Sequence, residues 1–405
     1  VPGSRRSTFS ALRVREYRLY WFGLVCYVFG HRAEYVTFAW ITWEVTHDPL
    51  ALGYLGLAQG VPLVVFQLWG GVLADRMDRL RLLLITQLLT AAVLTLAFGV
   101  TVLGRPSFAL LLVLAALSSV FRAFDEPARL SLVPRLIDRA RLSNAIALGS
   151  VPWQAGRMVG PSITGILIAA FGGAVGFGMA AAASYAALVL YSRVGVRGDV
   201  RAADGQHALR QFADGFAFVA RDVVFASLIG LALFNSVFGM SYVTLMPIFA
   251  DWYFGAGSAG YGLLNAAHGV GALVGTLTIA TVADRIRRRG RSILLLAACV
   301  GLELMLVAIA PAMWLALPLL AIVGFSNTLY LTQISTFIQQ NVAEQFRGRV
   351  LSIYSLCWNA MPLGGLLAGA LAAAVNARVA LLVGGAMVAA NALLLLASRR
   401  VRSLQ

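Results

Sequence analysis

The chain has 405 residues, of which 60% are hydrophobic and only 12% charged, about half the charged share of an ordinary soluble domain. So much apolar surface excludes a water-soluble fold and makes the bilayer the solvent; the short alternating segments of a β-barrel are absent. The net charge of +15 raises nucleic acid as a partner, yet no solvated basic domain with base-stacking aromatics exists to receive it.

Crossing about 30 Å of hydrocarbon as a helix takes roughly 20 apolar residues. Twelve such spans are predicted, at about 18–44, 50–74, 82–103, 107–124, 145–170, 175–193, 223–250, 259–283, 292–310, 313–337, 350–374 and 378–398. The expected fold is an all-α integral membrane protein. The longest polar stretch, Arg193–Asp222, separates six spans from six, giving a first bundle at 1–194, a linker at 195–222 and a second bundle at 223–405. In the linker Leu209, Phe212, Phe216 and Val219 have the spacing of an amphipathic helix on the inner surface, or of a polar lead-in to span 7. All 32 basic residues are arginine, and with the N-terminus inside 28 of them fall on inner segments; Arg105 and Arg378 fall outside, Arg32 and Arg157 within spans. That is the positive-inside bias of a bacterial inner-membrane protein with both termini cytoplasmic. The basic leader is expected to be retained, because the first span is too long for a signal peptide and lacks a cleavage site. Cys26, Cys299 and Cys357 all lie in spans without metal or disulfide spacing.

In span 1, Glu34 is an acid near mid-membrane. A charge there costs at least about 2.5–3.5 kcal/mol, which makes it a functional candidate by default. His31 lies three residues earlier on the same face, and Arg32 points roughly the other way. We read Glu34 as a proton-coupling carboxylate, His31 as its tuner or relay, and Arg32 as a charge partner or anion-binding group; a neutralised structural cluster is the alternative. After span 2 comes Gly70–Arg81, GGVLADRMDRLR, which sets Asp75 among Arg76, Arg79 and Arg81. Asp125 and Glu126 stand at the inner end of span 4 as partners for Arg76 and Arg79. Span 5 carries Gly156, Arg157, Gly160, Pro161 and Gly165, a small-residue stripe suited to close packing against span 8 or span 1. Arg157 either snorkels to the inner surface or faces a cavity and attracts an anion.

The second bundle repeats the pattern. Val282-Ala283-Asp284-Arg285 follows its second span, 209 residues after the first copy (284 − 75), and Pro362 to Gly369 mirrors the glycine-rich span 5. Duplicated bundles bind substrate near mid-membrane at the interface of the repeats. Glu303 is the other intramembrane acid, a weaker coupling candidate or an arginine's structural partner. Gln59, Asn235, Tyr242, Asn265 and His268 are polar groups on spans expected to line a cavity, as are Asn327, Gln333, Trp358 and Asn359. With Phe234, Phe238 and Tyr330 they suit a bulky, partly apolar substrate. Phosphate-loop, zinc and nucleophile-elbow signatures are missing, so an enzyme and direct ATP drive are not expected.

Gly71-Val-Leu-Ala-Asp75-Arg76-Met-Asp-Arg79 resembles the G-x-L-A-D-R-x-x-R signature of the major facilitator superfamily, and Gly156 to Pro161 is similar to the fifth-span signature of its proton-coupled exporters, with Thr164-Gly165 in place of the usual double glycine. Phe38-Ala-Trp40 through Gly53, Glu126 through Pro134 and Arg347-Gly-Arg-Val350 resemble the bacterial group of enterobactin-type siderophore exporters and macrolide efflux pumps. The resemblance implies two pseudo-symmetric six-helix halves, a monomer, and a small-molecule substrate exported in exchange for protons, without a cofactor. It places span 1 on the central cavity and span 9 at the periphery. It implies that Asp75, Arg76, Arg79, Asp125 and Glu126 form an inner latch, with Gly70 and Gly71 bringing spans 2 and 11 together. Asp284 and Arg285 would form a weaker second latch, with Glu344 as partner. An importer, a lipid carrier and a non-transporting receptor or scaffold are the alternatives.

Overall fold

The computed structural model describes residues 9–104, 106–195, 216–282, 286, 288–398 and 402, and the side chains of all of these but 68, 71, 72, 74–76 and 345. Among the described residues there is no strand. The first half consists of α1 (Arg15–Thr46), α2 (Pro49–Arg76), α3 (Arg79–Leu103), α4 (Phe108–Leu136), α5 (Leu142–Phe171) and α6 (Ala174–Ser192). The connections are short, and polar side chains start the helices by accepting from free backbone N–H groups. Asp78 Oδ1 accepts from Arg81 N at 3.0 Å to open α3, and Ser107 Oγ accepts from Leu110 N at 3.3 Å to open α4.

The seventh span is not one regular helix. It runs through α7 (Val223–Phe234), a π-turn at Asn235–Gly239, α8 (Tyr242–Ile248) and a second π-turn at Phe249–Tyr253. Met240 N reaches Asn235 O at 2.7 Å and Phe254 N reaches Phe249 O at 3.0 Å, the i→i−5 bonds that admit one extra residue in each turn. Then follow α9 (Gly257–Val282), α10 (Arg289–Ile309) and α11 (Met313–Asn341). The eleventh span is α12 (Glu344–Leu356), a 3₁₀ turn and α13 (Met361–Ala374), and α14 (Ala377–Ala397) closes the order. Among the described residues ten helical runs are long and apolar enough to cross a membrane. Two more, α1 and α5, have 32 and 30 residues, consistent with the twelve expected spans.

Residues 1–41 and 61–203 form one unit; residues 42–60 and 204–405 form the other. Within the second unit, Trp43 Nε1 donates to Asp251 Oδ2 at 2.9 Å, and Gly53 lies so close to Leu366 that a Cβ would stand 2.9 Å from its Cα.

Side-chain hydrogen bonds and close glycine contacts both join the helices. In the first unit, Tyr17 of α1 buries its ring and donates its hydroxyl to Ala145 O at 2.6 Å, and Trp21 Nε1 donates to Leu148 O at 2.8 Å, tying α1 to α5. In the second, glycines bring backbones together, as membrane helices do where lipid supplies no hydrophobic drive. Gly301 of α10 and Gly385 of α14 face each other, and a Cβ on either would stand 2.5–2.6 Å from the other's carbonyl oxygen. Gly324 of α11 lies against the backbone of His268 in α9 in the same manner.

Candidate functional site

The densest set of intramembrane charges lies in the first unit, where α1 meets α4. Glu34 is 3% exposed. Ser118 Oγ donates to its Oε1 at 2.5 Å, and its Oε2 stands 3.9 Å from Arg122 Nη1 and 3.7 Å from His31 Nδ1. Arg122 holds the set together: Nη1 is 2.6 Å from His31 Nδ1, and Nη2 donates to Ser119 Oγ at 2.7 Å. A guanidinium only donates, so His31 Nδ1 is the accepting, unprotonated nitrogen and the imidazole is neutral in this arrangement. Glu34 is thus paired with Arg122, while His31 accepts from Arg122 beside them without adding charge. Tyr27, His31, Glu34, Thr90, Arg122, Asp125 and Ser184 line a small cleft beside them.

The sequence reading chose Glu34 and His31 but counted Arg122 among the charges of the inner surface. The structure continues α4 to Leu136 and sets Ser118, Arg122, Asp125 and Arg129 along one helical face, at intervals of four, three and four residues. That spacing was available in the sequence. Drawing span 4 to end at residue 124 hid it.

Lower on the same face Asp125 pairs with Arg129, Oδ2 to Nη2 at 2.7 Å. The guanidinium of Arg129 lies over the ring of Tyr27 at 3.9 Å, with Trp153 5.7 Å away. Asp125 has its partner on its own helix, Glu126 is exposed, and Arg79 Nη1 donates to Ser131 O at 3.3 Å. Gly70 lies close to α4: a Cβ on it would stand 2.5 Å from Ala123 O. The side chains of Gly71, Asp75 and Arg76, and all of Asp284 and Arg285, lie outside the described residues, as do Leu209 and Phe212. Residues 216–221 are helical, with Phe216 exposed and Val219 buried, and Glu344 is exposed in the first turn of α12.

The span-5 stripe packs against α1. A Cβ on Gly156 would meet Val28 Cγ1 at 2.5 Å, and one on Gly160 would meet Arg32 Cβ at 2.8 Å. Pro161 and Gly165 are buried behind them, Thr164 Oγ1 donates to Gly160 O at 2.8 Å, and Arg157 is exposed.

In the second unit the polar groups are more scattered. Glu303, half-buried in α10, accepts from Ser326 Oγ at 2.8 Å. Asn265 Nδ2 donates to Tyr261 O at 2.9 Å, Asn327 Nδ2 approaches Met240 Sδ at 3.7 Å, and the rings of Tyr242 and His268 are 5.7 Å apart. Asn235 and Gln333 are buried; Gln59 and Asn359 are partly buried, and Trp358 is 40% exposed. Phe234 and Phe238 pack ring to ring at 4.5 Å, and Tyr330 is fully buried.

Known proteins resemble the chain over nearly its whole length. The family described as transmembrane secretion effectors matches residues 6–404. The multidrug efflux pump Tap of Mycolicibacterium fortuitum is 29% identical over 86% of this chain and 87% of its own. The staphyloferrin A transporter of Staphylococcus aureus is 25% identical over 81% and 82%. The enterobactin exporter EntS of Escherichia coli is 26% identical over 77% and 74%. Among solved structures a peptide transporter superposes with a TM-score of 0.77 at 15% identity, covering 95% of this chain and 94% of that one. The nucleoside transporter NupG does so with a TM-score of 0.72 at 15% identity, covering 95% and 99%. At such identity these structures speak for the fold alone.

Proposed function

The chain belongs to the transmembrane secretion effector family of major facilitator transporters, and from that premise we propose that it exports a small organic molecule, of the siderophore or amphipathic-drug kind, in exchange for protons. The relatives' names support the kind of cargo. The observation that carries the coupling is Glu34, a buried carboxylate in a membrane-spanning helix, bonded by Ser118 and paired with Arg122, with His31 beside it.

Ionised, Glu34 draws Arg122 and so attaches α1 to α4 through opposite charges. A proton on Glu34 removes that attraction and leaves only neutral hydrogen bonds between the helices. The two protonation states then favour different packings of α1 on α4, and a carrier with two orientations is biased by the difference in their free energies. His31, beside both groups, is placed to pass a proton to Glu34 or receive one from it, as a side chain with a near-neutral reference pKa can. The chain is assigned to the bacterial inner membrane as a monomer with cytoplasmic termini.

Efflux from proteoliposomes tests the reading. Glu34→Gln keeps the shape and the Ser118 contact but cannot ionise; proton-driven efflux should stop while the variant still purifies as a monodisperse protein. Glu303→Gln should retain coupled efflux, because Ser326 can donate to an amide oxygen as well. Coupling that survives in Glu34→Gln would remove this carboxylate from the mechanism.

A further inference from the structure

We propose that Arg32 is the anion receptor of the transport site, a guanidinium seated between α1 and α5 that takes a carboxylate of the transported molecule. The assignment deepens the transporter reading and depends on neither the proton coupling nor the direction of transport.

Arg32 lies in membrane-spanning α1 and is half-buried. Among the described residues none gives it an ion pair or a hydrogen bond, and its Nε is buried without a partner. The nearby carboxylate is already engaged: Glu34 accepts from Ser118 and pairs with Arg122. The neighbouring charges make the imbalance larger. Arg157 of α5 and Arg122 of α4 both lie within Coulombic reach of Arg32, and the other groups facing it are the phenols of Tyr27 and Tyr35. Arg32 and Arg122 against the one carboxylate of Glu34 leave a net charge of one. An isolated cation in a membrane span costs at least about 2.5–3.5 kcal/mol, and such residues ordinarily pair or face a substrate path.

The seat is shaped for this side chain. On Gly160 any side chain would strike the Arg32 stem, its Cβ standing 2.8 Å from Arg32 Cβ; on Gly156 a Cβ would approach Arg32 Cγ to 3.7 Å. Two glycines one helical turn apart thus open the space in which the arginine stem lies. Close helix packing alone would be served equally well by an apolar residue at position 32. A guanidinium offers a planar fork of donors, which matches a carboxylate with two parallel hydrogen bonds. The same field repels cations, so the site selects a carboxylate-bearing molecule over a cationic drug.

The test uses the full chain in phosphatidylcholine nanodiscs with no gradient, and citrate as a tricarboxylate probe against the cation ethidium. Citrate should bind the unaltered protein, and Arg32→Gln should weaken it about tenfold or more, the loss expected for a hydrogen bond to a charged group. Arg32→Lys keeps the charge but loses the fork, and should fall between the two; it also decides the matter if Arg32→Gln does not fold. Gly160→Ala should weaken citrate as well, by displacing the stem. Unchanged citrate binding in Arg32→Gln, or in Arg32→Lys where only that variant folds, overturns the assignment, as does ethidium binding with no citrate binding. A lipid phosphate could supply the same chemistry: citrate binding that persists in phosphatidylglycerol nanodiscs supports a soluble ligand, and its loss there overturns the proposal in favour of a headgroup. Citrate binding in a protein whose efflux ignores protons would leave this site standing and remove only the coupling.

Discussion

Asp125 and Arg129, 2% and 4% exposed, form the most deeply buried ion pair found among the described residues, with the Tyr27 ring covering the cation. Burying two charges is costly, and their attraction repays it only while both are present. Asp125→Asn leaves a buried guanidinium uncompensated and should lower stability by about 3–5 kcal/mol, whereas replacing both with Leu and Met of similar volume should recover most of that loss. Thermal unfolding of the two variants in detergent separates the outcomes; equal destabilisation would mean that the pair contributes chiefly through shape. At this scale the sequence was partly legible. Glu34 stood out because an acid inside an apolar run has few explanations, and His31 followed from helical spacing. Arg122 and Arg129 were obscured because arginine is so frequent near span ends that two more looked like topology. The contacts with His31 and Glu34 distinguish Arg122 from the arginines near span ends.

The helices themselves were easier to read than their partners. Long apolar runs predicted nearly every element; the side-chain oxygens of Asp78, Ser107 and Asn376 at helix starts came from the structure. The missed stretches are those in which polar residues continue a helix, such as the last turns of α4. Which face meets which neighbour was less legible, because in these helices lipid-facing and protein-facing sides are both apolar. The span-5 glycines left span 8 and span 1 open in the sequence; in the structure Gly160 lies against Arg32 of α1. Glycine positions now discriminate sharply. Gly301→Val forces a branched side chain into the α14 backbone and should cost about 1–3 kcal/mol or more, as overpacking does. Gly99, in α3, has nothing within 4 Å of an added Cβ, so Gly99→Ala should be neutral or stabilise by about 0.5–1 kcal/mol through helix propensity. Melting temperatures of the two purified variants check both signs at once.

For the whole carrier, the direction of charge movement follows from the two assignments taken together. A carboxylate leaving the cell while a proton enters moves charge the same way twice, and each elementary charge gains about 2.3 kcal/mol per 100 mV of inside-negative potential. Efflux should therefore accelerate when a potassium gradient with valinomycin makes the cytoplasmic side negative, even at equal pH on both sides. Indifference to voltage would show either a neutral cargo or a compensating charge. The duplication legible at Asp75 and Asp284 invites the opposite-facing state to be built by exchanging the conformations of the two halves. The seventh span limits that operation. Its counterpart α1 is α-helical throughout, whereas the run from Val223 to Tyr253 carries two extra residues in π-turns. Each inserted residue shifts the register by about 100°, so beyond the second turn an α-helical count puts side chains on nearly the opposite face. Trp252 and its neighbours cannot inherit positions from α1 by symmetry, and the two halves of this protein are not interchangeable moving parts.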